Sequence, residues 1–278
     1  MKIAPWALLA VSASWGMAFV AMKDPIEKQG VNSFLFTRFL VAVLAMLAIQ
    51  PSVLQRITPE ILRKGFIAGL FLGAGYVLQT LGLAIAGAAI TGFITGLYVV
   101  ATPLIASLIL KAKITRFTWG CVALATAGLA LLSLRGWSLG FGEFLVFLCA
   151  IAFAAHIVTL GQWSNGLDVY ALTIVQLATC TLMTGTFSFA QGYDLPVNLS
   201  GWLVVFYTAI FSTALAFVVQ TWSQAHMSAT KVAVILTMEV VFAAIFALAF
   251  GGESLTIKAL FGGLMVLTAM FMIVLKES

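Results

Sequence analysis

Apolar segments of about 20 residues recur along the whole chain and are separated by short polar connections. At a rise of about 1.5 Å per residue, a helix of this length crosses the hydrocarbon core of a bilayer, which is about 30 Å thick. The pattern predicts about ten transmembrane helices. They are expected at residues 3–22, 33–50, 63–84, 91–110, 117–134, 140–160, 169–190, 200–223, 229–250 and 257–275. The period-two alternation of transmembrane strands is absent, so the predicted fold class is all-α integral membrane.

The composition agrees with a lipid environment. Only 8% of the 278 residues are charged, and the mean hydropathy is +1.14. A water-soluble domain of this size needs a charged surface, so the composition excludes soluble enzyme folds. The sequence carries no HExxH or P-loop pattern, and its connections are too short for a catalytic domain, so we expect no enzymatic activity. The three cysteines and two histidines lack metal-ligand spacing, and we expect no metal or other cofactor.

The first apolar segment allows two interpretations. Lys2, an apolar stretch and small residues near Ala18 also resemble a secretory signal peptide. We expect a retained helix, because further apolar segments follow and the Trp15–Gly16 pair lies in the middle of this one.

Basic residues cluster in alternate connections. One set would lie on a single side of the membrane: Lys2, Arg56, Arg63, Lys64, Lys111, Lys113, Arg116, Lys231 and Lys276. The other side receives Lys23, Lys28, Arg135 and Lys258. The positive-inside rule then predicts a multi-pass protein of the cell inner membrane with both termini in the cytoplasm. The net charge of +5 is an orientation signal on this interpretation, and we expect the lipid bilayer, not nucleic acid, as partner.

Weak internal repetition links the two halves of the chain. Gln79–Thr80 is mirrored by Gln220–Thr221, and a pair of small residues follows each, Gly87–Ala88 and Ser228–Ala229. Because five segments per half is an odd number, similar halves must be inverted relative to each other. We therefore predict two inverted five-helix repeats, 1–136 and 137–278, around a central cavity that binds a small-molecule substrate. With both halves in one chain, a monomer is feasible.

Polar residues form stripes on several predicted helices. Thr91, Thr95, Tyr98 and Thr102 share one face of the fourth segment, as Thr173, Gln176, Cys180 and Thr184 share one face of the seventh. Gln79 and Gln220 are further polar positions within segments. A polar stripe is unsuited to lipid, so these faces should turn inward, either to line a cavity or to form interhelical hydrogen bonds.

Glu239 is the one carboxylate near the middle of a predicted helix. Ionised and unpaired it would be costly there, so it should face a cavity, find a partner or stay protonated, and protons become a candidate coupling ion. Arg38 could snorkel to the headgroups, pair with Glu239 or hold a substrate carboxylate. His156 is a packed neutral histidine or a proton relay. Trp15 and Tyr207 are aromatic residues that pack or stack on a substrate ring.

The chain resembles the drug/metabolite transporter superfamily in its ten-helix EamA-type branch. The residues that carry the likeness are Ser14–Trp15–Gly16, Arg38–Phe39, the run Gly92 to Tyr98, Thr102–Pro103–Leu104, Gly120 to Gly128, Thr237 to Val240 and Gly252 to Thr256. Val240 stands where that pattern often has proline, and Lys111–Ala112–Lys113 replaces the Gly–Glu pair in the first half.

This resemblance implies a secondary transporter, favouring export, of small polar or amphipathic metabolites such as amino acids. We expect the substrate-binding residues to be Trp15, Arg38, Gln79, Thr91, Thr95, Tyr98, His156, Tyr207, Gln220 and Glu239. Two alternatives stay open. One is exchange of a sugar phosphate or nucleotide sugar. Such anions usually need several basic residues in the cavity, and Arg38 and Lys231 are the only candidates. The other is a membrane scaffold or lipid enzyme.

Overall fold

The computed structural model describes residues 3–86, 88–133, 140–250 and 257–276, and these are almost wholly helical. The helices are α1 (Ala4–Gln29), α2 (Val31–Ile49), α3 (Pro59–Ala86), α4 (Ala88–Gly96), α5 (Tyr98–Leu110), α6 (Arg116–Ser133), α7 (Phe141–Trp163), α8 (Val169–Gln191), α9 (Leu199–Ala209), α10 (Ala216–Gln224), α11 (Ala229–Leu236), α12 (Met238–Phe250) and α13 (Ile257–Leu275). A 3₁₀ turn spans Pro51–Arg56, and the π-helical segment Ile210–Leu215 joins α9 to α10.

Helices occupy the position of every predicted segment, but three of those segments are interrupted. A single turn residue separates α4 from α5 and another separates α11 from α12, and the π-helical segment divides the eighth. Within the described residues, seven helices are long and apolar enough to cross a membrane, and shorter apolar helices cover Ile94–Leu110, Arg116–Leu131 and Leu260–Met272. The protein is therefore all-helical and multi-pass.

The outer surface of the bundle is apolar. Large side chains such as Leu108, Phe141 and Leu182 are 79%, 69% and 70% exposed. Exposure of this kind over a whole surface would be unstable in water, whereas it costs nothing against lipid tails. The buried side chains include many hydroxyls and amides, which hydrogen-bond between helices.

Several helices from the two halves pack against each other in opposite directions. In the α2–α8 pair, Ser33 meets Ser188 near one end and Tyr170 donates to the Met46 carbonyl near the other. Helix α6 runs antiparallel to α13. The start of α6 meets the end of α13, where the Lys276 ammonium lies 3.9 Å from the centre of the Phe117 ring, and Gly128 near the end of α6 packs on Gly262 near the start of α13.

Glycines allow the close helix crossings near the centre. The series Gly65, Gly69 and Gly73 lies along the face of α3 that packs on α8. A Cβ atom on Gly69 would lie 2.6 Å from the Thr179 Cβ. Small residues at this four-residue spacing let the backbones of two helices approach closely.

The two ends of the bundle can be distinguished by their contacts. The terminal end, as we call it, carries the connections 50–58, 111–115, 164–168 and 225–228. Arg56 and Asp168 form an ion pair of 2.5 Å there. At the opposite end, Asn32 donates to the Gln191 side chain and Gln29 donates to the Asp194 carbonyl. Lys111 and Lys113 lie in another connection at this end, so basic residues of separate connections share the terminal end.

A cross-link can test the antiparallel contact of α2 with α8. The hydroxyls of Ser33 and Ser188 lie 3.1 Å apart. We expect the double variant Ser33→Cys, Ser188→Cys to form an intramolecular disulfide on mild oxidation, because the side chains already touch. After cleavage of the chain between α2 and α8, the fragments should stay joined on a non-reducing gel. The pair Ser33→Cys, Ser223→Cys is the control and should not cross-link. Separate labelling of both thiols in the first pair would contradict the packing.

Candidate substrate cavity

A cavity lies at the centre of the bundle, where helices from both halves meet. It is lined by Trp15, Ala18, Phe19, Met22, Arg38, Leu72, Tyr76, Gln79, Tyr98, Phe153, His156, Ile157, Phe217, Gln220, Leu236 and Glu239. These residues come from α1, α2, α3, α5, α7, α10, α11 and α12. Aromatic and aliphatic walls thus surround a few polar groups, which is the usual composition of a small-molecule site.

The cavity suits a small solute. Its volume is about 60 Å³. A site for a single water needs only roughly 10–15 Å³. The cavity therefore has room for more than one water or for a small solute.

Arg38 projects from α2 into the cavity wall and is only 2% exposed. Its Nε donates to the Thr213 hydroxyl at 2.7 Å, and its Nη2 donates to the Ser212 carbonyl at 3.1 Å and to the Tyr76 hydroxyl at 3.5 Å. The guanidinium carbon lies 5.1 Å from the centre of the Tyr76 ring. These bonds and the cation–π contact hold the planar group in one orientation.

The π-helical segment explains how a backbone carbonyl is free to accept these donors. The Ser212 carbonyl accepts from Arg38 and also from the Trp15 indole N–H at 2.8 Å. In a regular α-helix this oxygen would be directed at the amide four residues on, whereas π-helical turns shift that pattern and are frequent at functional sites. The segment thereby anchors two side chains of the cavity wall at once.

Glu239 lines the cavity from the first turn of α12. It forms no ion pair or hydrogen bond with any other residue in the described part of the chain. Tyr98 begins α5 and also lines the cavity, and its buried hydroxyl has no partner among the described residues. Both residues lie in the first turn of a helix that follows an interruption, after Leu97 in one segment and after Thr237 in the other.

Further polar contacts connect the cavity to the surrounding helices. The His156 Nε2 lies 2.8 Å from the Gln176 side-chain oxygen. Gln79 donates to the Thr95 hydroxyl at 3.3 Å, and Gln220 donates to the Gln224 side-chain oxygen at 3.1 Å. Each of these cavity residues is thus positioned by one hydrogen bond to a neighbouring side chain.

The structure brings most of the predicted site residues together. Seven line the cavity, namely Trp15, Arg38, Gln79, Tyr98, His156, Gln220 and Glu239. Thr95 is buried behind the wall as the partner of Gln79, and Thr91 is buried one turn away on the same helix. Tyr207 lies outside the cavity and donates its hydroxyl to the Ser14 carbonyl at 3.1 Å. The polar stripe on the fourth segment turned inward as predicted, but Tyr98 alone of its members reaches the wall.

Sequence reasoning missed the aromatic walls. Phe19, Tyr76, Phe153 and Phe217 line the cavity, and Tyr76 contacts Phe153 and Phe217 with ring centres 5.5 and 6.2 Å apart. In a chain with 22 phenylalanines, no local signal separates these from lipid-facing rings. The position of Tyr76, one turn before Gln79 on the same face, was the available clue.

The cavity residues correspond between the two halves. Four residues of the first half have an equivalent at the same distance further along the chain. Trp15 is equivalent in position to His156, Tyr76 to Phe217, Gln79 to Gln220, and Tyr98 to Glu239. All eight members line one cavity. These four pairs of cavity residues share one separation along the sequence, and they extend the repetition seen in Gln79–Thr80 and Gln220–Thr221.

The remaining predicted features are structural or undescribed. Residues Thr173, Gln176, Cys180 and Thr184 are buried between helices, with Thr173 donating to Thr221 at 3.2 Å. The three cysteines are buried free thiols. Among the described residues, no group of His, Cys, Asp and Glu could hold a metal ion. Four predicted features lie outside the described residues, namely the motif from Gly252 to Thr256, Gly87, Lys2 and Arg135.

An all-helical bundle with an apolar exterior and a partly polar central cavity is the architecture of a membrane transporter. The chain belongs to the EamA-like transporter family, whose model matches residues 2–134 and again residues 140–275. It is 30% identical over 271 residues to an uncharacterized transporter of Archaeoglobus fulgidus, covering 97% of this chain and 85% of that one. A crystal structure described only as that of a protein shares the fold, with a TM-score of 0.79 at 14% identity over 97% of this chain and 94% of that one.

Proposed function

We propose that this protein is a secondary transporter that moves small polar or amphipathic metabolites, with amino acids as the leading class, by alternating access. The observation that carries the proposal is the central cavity with its matched residues from both halves. Its volume of about 60 Å³ and its apolar wall with a few polar groups suit a small amphipathic solute.

The proposal includes ten crossings arranged as two inverted repeats, 1–136 and 137–278. The seven long helices of the described residues account for seven of the ten predicted crossings. The other three predicted segments are occupied by the shorter apolar helices Ile94–Leu110, Arg116–Leu131 and Leu260–Met272. The antiparallel packing of α2 on α8 and of α6 on α13 supports the inversion, since equivalent helices of inverted repeats must run in opposite directions. The two matches of the family model, 2–134 and 140–275, support the division.

The proposed orientation places the terminal end, with both chain termini, in the cytoplasm of a cell whose inner membrane holds the protein. The support is electrostatic. Arg56, Arg63, Lys64, Lys111, Lys113 and Arg116 lie in or beside the connections at that end. Such clusters are retained on the cytoplasmic side during insertion.

Alternating access is supported by polar atoms sealed between the cavity and the terminal end. The hydroxyls of Thr102 and Ser223 and the side-chain oxygen of Gln220 are buried without a partner among the described residues. A buried unpaired oxygen costs about 1–3 kcal/mol. On our proposal these groups are hydrated in a second state, in which the cavity opens toward the terminal end. The interrupted helix pairs α4–α5 and α11–α12 are the elements that would bend between states.

The driving force proposed is proton exchange through Glu239. The carboxyl group is buried in the cavity wall with no cationic partner among the described residues, so proton binding and release there would be felt by a solute in the cavity. Facilitated diffusion is the alternative, and a pH gradient distinguishes them. Export is the proposed direction, and it rests on the family alone.

The alternative of a sugar-phosphate or nucleotide-sugar exchanger is less well supported. Anions of that charge require several basic side chains at the site. Among the described residues, Arg38 is the one arginine or lysine on the cavity wall, and Lys231 is not part of it. A purely structural scaffold would not need a central cavity lined by polar residues, so the cavity favours transport over that alternative.

Counterflow in proteoliposomes tests transport directly. Purified protein is reconstituted with an excess of one unlabelled amino acid inside, and uptake of the labelled compound is followed over a panel of amino acids and other metabolites. We expect transient accumulation of at least one small amphipathic amino acid, since a carrier exchanges solute across its two states. Liposomes without protein and liposomes with a cavity-filling Ala18→Trp variant are the controls, because Ala18 is a buried wall residue.

If protein-containing and empty liposomes take up every amino acid equally but another metabolite shows counterflow, the substrate class would be that of the other metabolite and not amino acids. Uptake of none of the panel would contradict the proposed function.

A further inference from the structure

We propose that Arg38 recognises a carboxylate group of the transported solute and so determines which solutes the cavity accepts. The proposal rests on the transport function above and adds the position of the solute's acidic group. It makes Arg38 a specificity-determining residue rather than a structural one.

The first observation is a buried positive charge without a carboxylate. The Arg38 side chain is 2% exposed, and the described residues contain no carboxylate oxygen within 4.0 Å of its guanidinium. Its neutral partners are the oxygens of Thr213, Ser212 and Tyr76. A permanently charged group in this position is costly unless an anion joins it.

The second observation is which donors remain open. Nε and Nη2 are engaged by oxygen acceptors, whereas Nη1 has a single contact, to the Met22 sulfur at 3.4 Å. A thioether is a weak acceptor. Because Met22 itself lines the cavity and has a flexible side chain, a carboxylate can displace it and accept a charge-assisted hydrogen bond from Nη1.

The third observation excludes the other uses of this arginine. Snorkelling to the headgroups requires an exposed head group, and the Arg38 side chain is buried. An ion pair with Glu239 is absent from this structure, although both residues line the same cavity. The cavity thus has a guanidinium and a carboxyl group that are not paired with each other, which fits a solute that carries a carboxylate and an ammonium group.

The fourth observation is a second hydrogen-bond donor on the cavity wall. The buried Tyr98 hydroxyl has no partner among the described residues. The wall therefore offers an anionic solute a donor besides Arg38.

The experiment compares three probes of equal carbon skeleton: L-leucine, 4-methylpentanoate and L-leucinamide. Their affinities for the purified full-length protein are measured by calorimetric titration. Native protein should bind the two carboxylate probes about 10- to 100-fold more tightly than the amide, the range expected for a charge-assisted hydrogen bond. Arg38→Gln should remove that preference, and Arg38→Lys should restore part of it, because lysine keeps the charge but loses the planar fork.

Two further variants keep the test independent of folding. Thr213→Val keeps the Arg38 charge but removes the acceptor that fixes Nε, so the preference for carboxylate should fall by a few fold, roughly. Arg56→Gln is the matched control, since Arg56 pairs with Asp168 outside the cavity, and the preference should be native. Gel filtration confirms that each variant is folded.

Three outcomes would overturn the inference. Native protein could bind leucinamide as tightly as leucine, Arg38→Gln could weaken all three probes equally, or neither carboxylate probe could bind. Any of these together with active counterflow leaves the transport function in place. Inactive counterflow over the whole panel refutes the transport function itself.

Discussion

Glu239→Gln is expected to abolish accumulation of substrate driven by a pH gradient. The initial rate of gradient-driven uptake should fall at least about tenfold, which corresponds to an activation barrier about 1.4 kcal/mol higher. Glutamine keeps the size of the side chain but can neither release nor accept the coupled proton. Counterflow at equal pH on both sides should lose its pH dependence in the variant. The measurement is uptake into proteoliposomes with and without an imposed gradient, over a range of pH.

Glu60→Gln is the matched control for this experiment. Glu60 lies near the terminal end, is exposed and pairs with Lys64 at 2.6 Å. Its replacement removes one carboxylate without touching the cavity, so gradient-driven uptake should be native. Native accumulation by Glu239→Gln would refute proton coupling through this residue and favour facilitated diffusion.

Gly16→Ala is expected to destabilise the bundle and to impair transport together. A Cβ at Gly16 would lie 2.7 Å from the Ala243 nitrogen, 2.7 Å from the Phe242 Cβ and 2.9 Å from the Glu239 carbonyl oxygen. None of these atoms is the end of a flexible side chain, so α1 and α12 must move apart next to the cavity. Overpacking of this kind costs about 1–3 kcal/mol. Thermal unfolding in detergent and counterflow in liposomes measure the two effects.

Gly120→Ala separates packing from helix propensity. Gly120 lies in α6 with nothing within 4 Å of the position of a Cβ. Alanine there should leave stability unchanged or raise it by up to about 1 kcal/mol, because it removes backbone freedom without a clash. Equal melting temperatures for Gly16→Ala and Gly120→Ala would show that α1 and α12 do not pack as closely as described.

The helix positions could be predicted from sequence because the bilayer imposes a simple rule. Every backbone amide in hydrocarbon needs an internal partner, and about 20 apolar residues suffice to cross. The segments from 3–22 to 257–275 therefore appear as helices in order. The interruptions near Leu97 and Thr237 were not predicted, because a single turn residue without proline leaves no compositional trace.

The site could be predicted in part. Arg38, Gln79, Tyr98 and Glu239 stand out as polar or charged positions within apolar helices, and such residues are confined to the interior by the cost of lipid exposure. Tyr207 has the same local appearance, yet it hydrogen-bonds to Ser14 outside the cavity. A polar residue in a membrane helix must turn inward, but sequence does not say whether it meets a cavity or another helix.

By itself, the sequence determined that this chain is a helical membrane protein, since no other solvent tolerates 63% hydrophobic and 8% charged residues. Only the tertiary structure decided which buried polar groups share one cavity, because that depends on how helices cross rather than on their composition. Arg38 shows the difference. Its charge and depth follow from the sequence, whereas its engaged Nε, its open Nη1 and its separation from Glu239 follow from the packing of α2 against the π-helical segment.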